Sequence, residues 1–209
     1  MTVDRIIKGF LFDRNIENLY KQKCDKIEDY VYQLDINSSL TQQQIQILKD
    51  GAFKKLWDWP EMGFNKDNMT KDSENVLMSP EDVLEIIYPG RTSIEYSNVL
   101  ATKISYQFSL NPSTDILTYG IEGSKISFLG KYSKNSLVIN IYTDKEIDET
   151  IAIEIKAKRD KIISSIEKAL EINQKYIDSK ASEFKEIIGQ EIGRTFNDAK
   201  KRSNINSLI

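Results

Sequence analysis

The sequence predicts an α+β protein with an N-terminal helical hairpin, a small antiparallel β-meander and a long C-terminal helix. Three observations predict this order: helical spacing of apolar residues at the start, strict alternation in the middle, and an unbroken helical pattern at the end. We expect residues 1–100 to be mainly helical, 101–143 to form the β section and 144–203 to form the long helix. A chain of 209 residues is then one domain with a helical extension.

Two amphipathic helices are predicted in the first part of the chain. In residues 13–36 the apolar side chains fall at helical spacing. Asn37, Ser38 and Ser39 break this helix, and Thr41 or Ser39 caps the next one, which runs toward Trp57. The two helices form a helical hairpin. A polar loop is expected at 65–78, followed by a short helix that begins at Ser79-Pro80.

The middle of the chain has the alternation of a half-buried sheet. In ATKISYQFSL the apolar residues Ile104, Tyr106 and Phe108 point one way, and polar residues point the other way. The segments TDILTYGI, KISFLGKY and SLVINIYT follow at regular spacing. These four segments predict a three- or four-stranded antiparallel meander.

The last part of the chain has one apolar stripe at helical spacing. Steps of four, four and three residues repeat through Ile162, Ile166, Leu170, Asn173, Ile177, Ala181, Phe184, Ile188, Ile192, Thr195 and Ala199. A helix this long needs a partner for its stripe. The candidates are the chain's own N-terminal helices, a second copy or another protein. A break near Asp178–Ser182 is the alternative to one continuous helix, which the unbroken phase favours.

Composition excludes several kinds of chemistry. The chain has no histidine, so histidine-dependent nucleophilic catalysis and histidine-ligated zinc are excluded. Its one cysteine, Cys24, forms no internal disulfide, which suits a reducing compartment, and we expect a cytoplasmic protein. The net charge of −3 argues against nucleic acid as a partner, no stretch is apolar enough for a membrane span, and we expect no cofactor.

One short motif has a catalytic pattern. Glu154 and Lys156 form a Glu-x-Lys within alternating isoleucines, and Asp144 precedes them. Nucleases of the restriction-endonuclease type have this motif on a strand, where two acids hold Mg²⁺ and the lysine positions the attacking water. The same isoleucines also fit a helical stripe, in which both residues would be solvated. The nuclease therefore remains an alternative that needs a strand at Ile151–Lys156.

The end of the long helix offers a candidate protein interface. Phe184, Ile188, Ile192 and Phe196 are the expected anchors, and Gly189 and Gly193 have the spacing that lets another backbone approach closely. We expect a protein partner or self-association through residues 160–200. The basic cluster Lys200-Lys201-Arg202 either complements the helix dipole or contacts nucleic acid.

From Ile104 onward, the chain resembles an uncharacterised region of bacterial anti-phage defence proteins. The resemblance rests on YQFSLNPSTDIL, SLVINIYTD, LEINQKYI and EFKEIIGQEIGRTFNDAKKRSNINSLI. Lys201-Arg202 matches the basic pair of that pattern, whereas Phe184-Lys185 stands where it has Phe-Asn. The resemblance implies an accessory, sensor or adaptor region beside a separate effector domain, and a chain that is a piece of a longer protein. It implies no catalytic residue.

These observations predict a non-enzymatic protein-interaction module, associated with bacterial anti-phage defence by the resemblance. It would form oligomers or bind a protein through its long helix. The alternative is a metal-dependent nuclease using Asp144, Glu154 and Lys156. A third hypothesis is a nucleic-acid-binding adaptor that uses the basic end of the helix, with an affinity that falls steeply as salt rises.

Overall fold

The structure is a computed structural model that describes residues 3, 6–59, 65–94, 97–110, 117–133 and 135–206. It confirms the α+β class, with a five-stranded antiparallel sheet and a long C-terminal helix. The chain divides into two compact units: unit 1 contains Met1–Asp13 and Glu61–Glu171, and unit 2 contains Arg14–Pro60 and Ile172–Ile209. This division differs from the three consecutive segments that the sequence predicted.

The helices and strands follow one another in a mixed order. The strands are β1 (Lys8–Leu11), β2 (Arg14–Asn15), β3 (Met69–Met78), β4 (Val99–Ser109), β5 (Tyr119–Gly120), β6 (Ile126–Ser133) and β7 (Ser136–Thr143). The helices are α1 (Ile16–Tyr32), α2 (Gln42–Leu56), α3 (Pro80–Ile86) and α4 (Glu149–Asn206). Within the described residues, no helix is both long enough and apolar enough to cross a membrane.

Helix α4 is continuous over 58 residues, so the alternative break near Asp178–Ser182 is not present. Asp148 begins it by accepting a hydrogen bond from the Ile151 N–H at 2.8 Å. The predicted caps of the shorter helices are also found. The Thr41 hydroxyl forms a capping box with Gln44, and the Ser79 hydroxyl accepts from the Asp82 N–H.

The sheet of unit 1 has the order β1-β6-β7-β4-β3. The predicted meander is therefore wrong in its connections, because β4 pairs with β7 and not with the strand that follows it. The polar loop expected at 65–78 is largely the edge strand β3. Its exposed residues from Thr70 to Asn75 leave no apolar alternation for a pattern search to detect. Part of the predicted strand at 114–121 lies outside the described residues.

Each unit has its own core. In unit 1, Ile104, Tyr106 and Phe108 of β4 pack with Ile163 and Ile166 of α4. The opposite face of the sheet is covered in part by α3, where Val83 packs with strand residues. In unit 2, α1 and α2 pack on α4 through one cluster. Its buried members are Tyr20, Ile27, Val31, Ile45, Ala52, Phe184, Ile188, Ile192 and Phe196.

A candidate binding cleft in the sheet

Strand β6 changes its partner halfway along its length. Its first half, Ile126–Leu129, pairs with β1, and its second half, Gly130–Ser133, pairs with β7. The register between β6 and β7 ends at the pair of Gly130 and Ile139. Beyond this pair, the N-terminal half of β6 and the C-terminal half of β7 are the two sides of an opening in the sheet.

Gly130 fixes the point where the two strands separate. Its φ of 139° lies in a region that L residues rarely adopt. A Cβ built on Gly130 would lie 1.9 Å from the carbonyl oxygen of Val138, which is backbone and has little freedom to move. The Gly130 N–H donates to the carbonyl of Ile7 at 2.8 Å, so it faces β1 and not β7. Only glycine fits this position without strain.

The opening is a cleft of about 300 Å³. Its walls are mostly apolar, and its polar groups are few, as is usual for a ligand site. Its lining residues are Ile86, Ser127, Phe128, Leu129, Asn140, Ile141, Tyr142, Lys158, Lys161 and Ile162. The amide oxygen of Asn140 already accepts a hydrogen bond from the Ser105 hydroxyl at 2.9 Å. We call this opening the β6–β7 cleft.

Two lysines from α4 give the β6–β7 cleft its charge. Lys158 and Lys161 are three residues apart, so they lie on the same side of the helix. Both are exposed, and neither makes an ion pair with another described residue. No acidic residue is among those that line the cleft. The cleft therefore combines apolar walls with two ammonium groups that an anion would neutralise.

Two other grooves differ from the cleft because they contain cations that already have carboxylate partners. In unit 1, a groove of about 540 Å³ contains the ion pairs Lys66–Glu167 at 3.0 Å and Arg159–Asp160 at 2.6 Å. In unit 2, a groove of about 330 Å³ contains Arg194, whose guanidinium lies 3.0 Å from Glu28 and 2.6 Å from Glu191. A charged ligand would have to displace these partners.

The residues of the nuclease alternative do not have the geometry that it requires. Glu154 and Lys156 lie on helix α4 and are exposed, whereas the motif needs a strand. The Asp144 carboxylate accepts a hydrogen bond from the Tyr88 hydroxyl at 2.5 Å, which raises the pKa of Tyr88. Within the described part of the chain, no three acidic or cysteine side chains lie close enough to hold a metal ion. The isoleucines around Glu154 therefore follow the helical pattern of α4 and not the alternation of a strand.

The predicted interface anchors lie in the core of unit 2. Phe184, Ile188 and Ile192 are at most 1% exposed, and Phe196 is 7% exposed. Helices α1 and α2 cover them, so the chain's own N-terminal helices are the partner of this stripe. This finding corrects their assignment as a surface for a second molecule. Association of copies through other faces of residues 160–200 stays a prediction.

The two glycines of the predicted close-packing motif have no backbone against them. A Cβ on Gly189 would lie 3.8 Å from the Lys49 ammonium, the far end of a flexible side chain. A Cβ on Gly193 would meet no described atom within 4 Å. The prediction of a close backbone approach across these glycines is therefore wrong for unit 2 itself.

The basic cluster at the end of α4 has local partners. The Lys200 ammonium lies 4.4 Å from the centre of the Phe196 ring, and the Lys201 ammonium lies 3.7 Å from Asp198. Arg202 lines the groove of unit 2. Helix α4 continues to Asn206 and has no basic residue in its last turn, so the helix-dipole explanation is not supported. The nucleic-acid hypothesis stays a prediction.

Sequence reasoning missed the β6–β7 cleft, although one signal for it was present. An isolated glycine inside a strand pattern, such as Gly130 in KISFLGKY, is typical of a bulge or of a close backbone approach. Lys158 and Lys161 have no such signal, because the whole helix is rich in lysine. Comparison of the chain with protein-family models, curated proteins and solved structures finds no match.

Proposed function

We propose that this protein is a non-enzymatic protein-interaction module that binds a segment of a partner protein in the β6–β7 cleft of unit 1. The observation that supports this proposal is the separation of two strands at Gly130 beside two lysines without acidic partners. The separated strands offer a partner segment an edge to which it can add as a further strand. In strand addition, main-chain hydrogen bonds give affinity and flanking pockets give specificity.

The chemistry of the cleft favours binding over catalysis. Its titratable side chains are Tyr142 and two exposed lysines, and no carboxylate or thiol is among its lining residues. A hydrolytic site needs a base or nucleophile within hydrogen-bond reach of its substrate. In this proposal the apolar walls bind side chains of the partner, and unit 2 serves as a separately packed helical unit.

The place of this module in anti-phage defence stays a prediction that rests on the resemblance of the C-terminal half. Self-association stays the competing explanation of an interaction module. Light scattering of the purified chain over a range of concentrations separates the two: a mass that rises with concentration favours self-association. A constant monomer mass leaves the cleft free for a different protein.

The direct test is selection of linear peptides from a displayed random library on the immobilised full chain. Ser127 is an exposed residue that lines the cleft, so Ser127→Trp should fill the cleft without disturbing the core. Gln107→Trp on β4 is the matched control, since Gln107 is an exposed sheet residue outside the cleft. Circular dichroism and thermal melts confirm that both variants fold.

We expect the selection to enrich peptides that bind the original chain and Gln107→Trp but lose binding to Ser127→Trp. The proposal is overturned if no peptide is enriched, because an extended ligand for the cleft should be within the library. It is also overturned if the enriched peptides bind Ser127→Trp equally well, since their site would then lie elsewhere.

A further inference from the structure

We infer that the segment bound in the β6–β7 cleft is an extended acidic peptide, whose carboxylate side chains pair with Lys158 and Lys161. This inference rests on the proposed function and adds the chemistry of the partner. It draws on three features of the cleft: its charge, its backbone edges and its size.

The charge of the cleft differs in kind from that of the other grooves. Its two charged lining residues are both lysines, so the local charge is positive although the whole chain has a net charge of −3. In the other two grooves, described carboxylates lie 3.0 Å or less from Lys66, Arg159 and Arg194. An anionic ligand therefore gains two new ion pairs in the cleft without breaking any described ion pair.

The backbone of β6 favours a peptide over a simple anion as the ligand. The Gly130 N–H faces β1, and the peptide groups of successive residues in a strand point in opposite directions. The N–H and C=O groups of Ser127 and Leu129 therefore point away from β1 and toward the cleft. An extended chain laid along this edge can pair with both residues, as a neighbouring strand would.

The size of the cleft limits the ligand to a short segment. About 300 Å³ is at the lower end of the range for pockets that bind small ligands. Side chains alternate along an extended peptide. Apolar residues at every second position would then face Ile86 and Leu129 on the α3 side of the sheet, and acidic residues between them would face Lys158 and Lys161 on the α4 side.

The test uses three pools of short peptides with both ends blocked, so that terminal charges are absent. Every second position in each pool is an equal mixture of Val, Ile, Leu, Phe and Tyr, and the positions between are Glu, Gln or Lys. Binding to the full chain is measured by calorimetry. The position of the ligand is observed through the NMR shifts of the Ser127, Leu129 and Asn140 amides.

We expect the Glu pool to bind about tenfold more tightly than the Gln pool, as two partly exposed ion pairs would give. This preference should shrink as salt increases, because exposed charges are screened. The double variant Lys158→Gln/Lys161→Gln should lose the preference. The control Lys168→Gln should retain it, since Lys168 is an exposed lysine of α4 outside the cleft.

The outcomes separate this inference from the proposed function. Equal binding of the Glu and Gln pools, or a preference that survives the double variant, overturns the acidic-peptide inference. Neither result contradicts the proposed function. Binding of the Glu pool that is unchanged in Ser127→Trp places the peptide elsewhere and overturns both. Octanoate is an added probe: if octanoate shifts the cleft amides and the Glu pool does not, the occupant is a small amphipathic acid and the inference fails.

Discussion

In unit 2, helices α1 and α2 cover the apolar stripe of α4, whereas in unit 1 the sheet opens between β6 and β7. The cations of the β6–β7 cleft also differ from Arg194 in the groove of unit 2. Arg194 of unit 2 contacts two carboxylates, and Lys158 and Lys161 of unit 1 contact none among the described residues. Both regions include part of the same helix, so the contrast does not come from α4 itself.

The difference follows from where each element makes its backbone hydrogen bonds. A helix satisfies its peptide groups internally, so a helical bundle closes as soon as its apolar side chains meet. A strand depends on its neighbours, so a strand that changes partner leaves peptide groups facing an opening. In β6 this change of partner occurs at Gly130. The sheet of unit 1 therefore has a strand edge inside it, which a helical bundle does not have.

The first prediction concerns the packed core of unit 2. Ile188 is 1% exposed in the core of unit 2, and Ile188→Asp would place an unpaired charge among apolar side chains. We expect a loss of more than about 4 kcal/mol in the free energy of unfolding of this unit. Hydrogen exchange of the α1 and α2 amides measures it.

The matched control for Ile188→Asp is Ile172→Asp, at an exposed position of the same helix. The same change there should cost less than about 1 kcal/mol. Equal effects of the two variants would contradict a closed core around Ile188. The stripe would then be an exposed face that is available to a second molecule.

The second prediction tests whether Gly130 holds the cleft open. Gly130→Ala brings a Cβ against the Val138 carbonyl at a φ of 139°. We expect a loss of about 3 kcal/mol, since backbone strain of this kind costs about 1–3 kcal/mol before the clash is added. Denaturant unfolding followed by circular dichroism measures the change.

Gly123→Ala is the control that isolates the backbone conformation from the clash. Gly123 has a φ of 86°, and a Cβ there meets no described atom within 4 Å. We expect a cost of about 1–2 kcal/mol from the left-handed conformation alone. If Gly130→Ala costs no more than Gly123→Ala, β6 can rearrange at Gly130 and the cleft is not a fixed feature of unit 1.

Patterns within one element were predictable from the sequence. The stripe of α4 was predicted from its repeating steps, and Ile166, Leu170, Ile177, Phe184, Ile188 and Ile192 are all buried. The alternation of Ile104, Tyr106 and Phe108 in β4 was likewise correct, since all three face the core of unit 1. In both cases the period of the element decides which side chains share a face.

Features that depend on distant parts of the chain were not predictable in this way. Strand β3 escaped detection because its central residues are polar and face solvent at the edge of the sheet. The pairing of β4 with β7 and the change of partner at Gly130 depend on contacts between separate segments. The β6–β7 cleft depends on such contacts between separate segments. The sequence alone therefore could not distinguish Lys158 and Lys161 from the other lysines of α4.

The smallest predicted effect concerns a polar atom inside the closed unit. The hydroxyl oxygen of Tyr176 is buried and has no hydrogen-bond partner among the described residues. Tyr176→Phe removes this group and keeps the ring, so we expect the free energy of unfolding to rise by about 1 kcal/mol at neutral pH. Tyr32→Phe is the control, because Tyr32 is 88% exposed and should change little.

The pH dependence of the stability of Tyr176→Phe gives a second test of whether the core of unit 2 excludes solvent. Burial raises the pKa of Tyr176, so its hydroxyl stays protonated in the folded chain where the unfolded chain begins to ionise, near pH 10. The ionisation therefore has no effect on stability below that pH and lowers stability as the pH rises further. The variant should therefore lose stability less steeply above about pH 10 than the original chain. Equal slopes would mean that solvent reaches this hydroxyl, and that unit 2 is less closed than its packed stripe indicates.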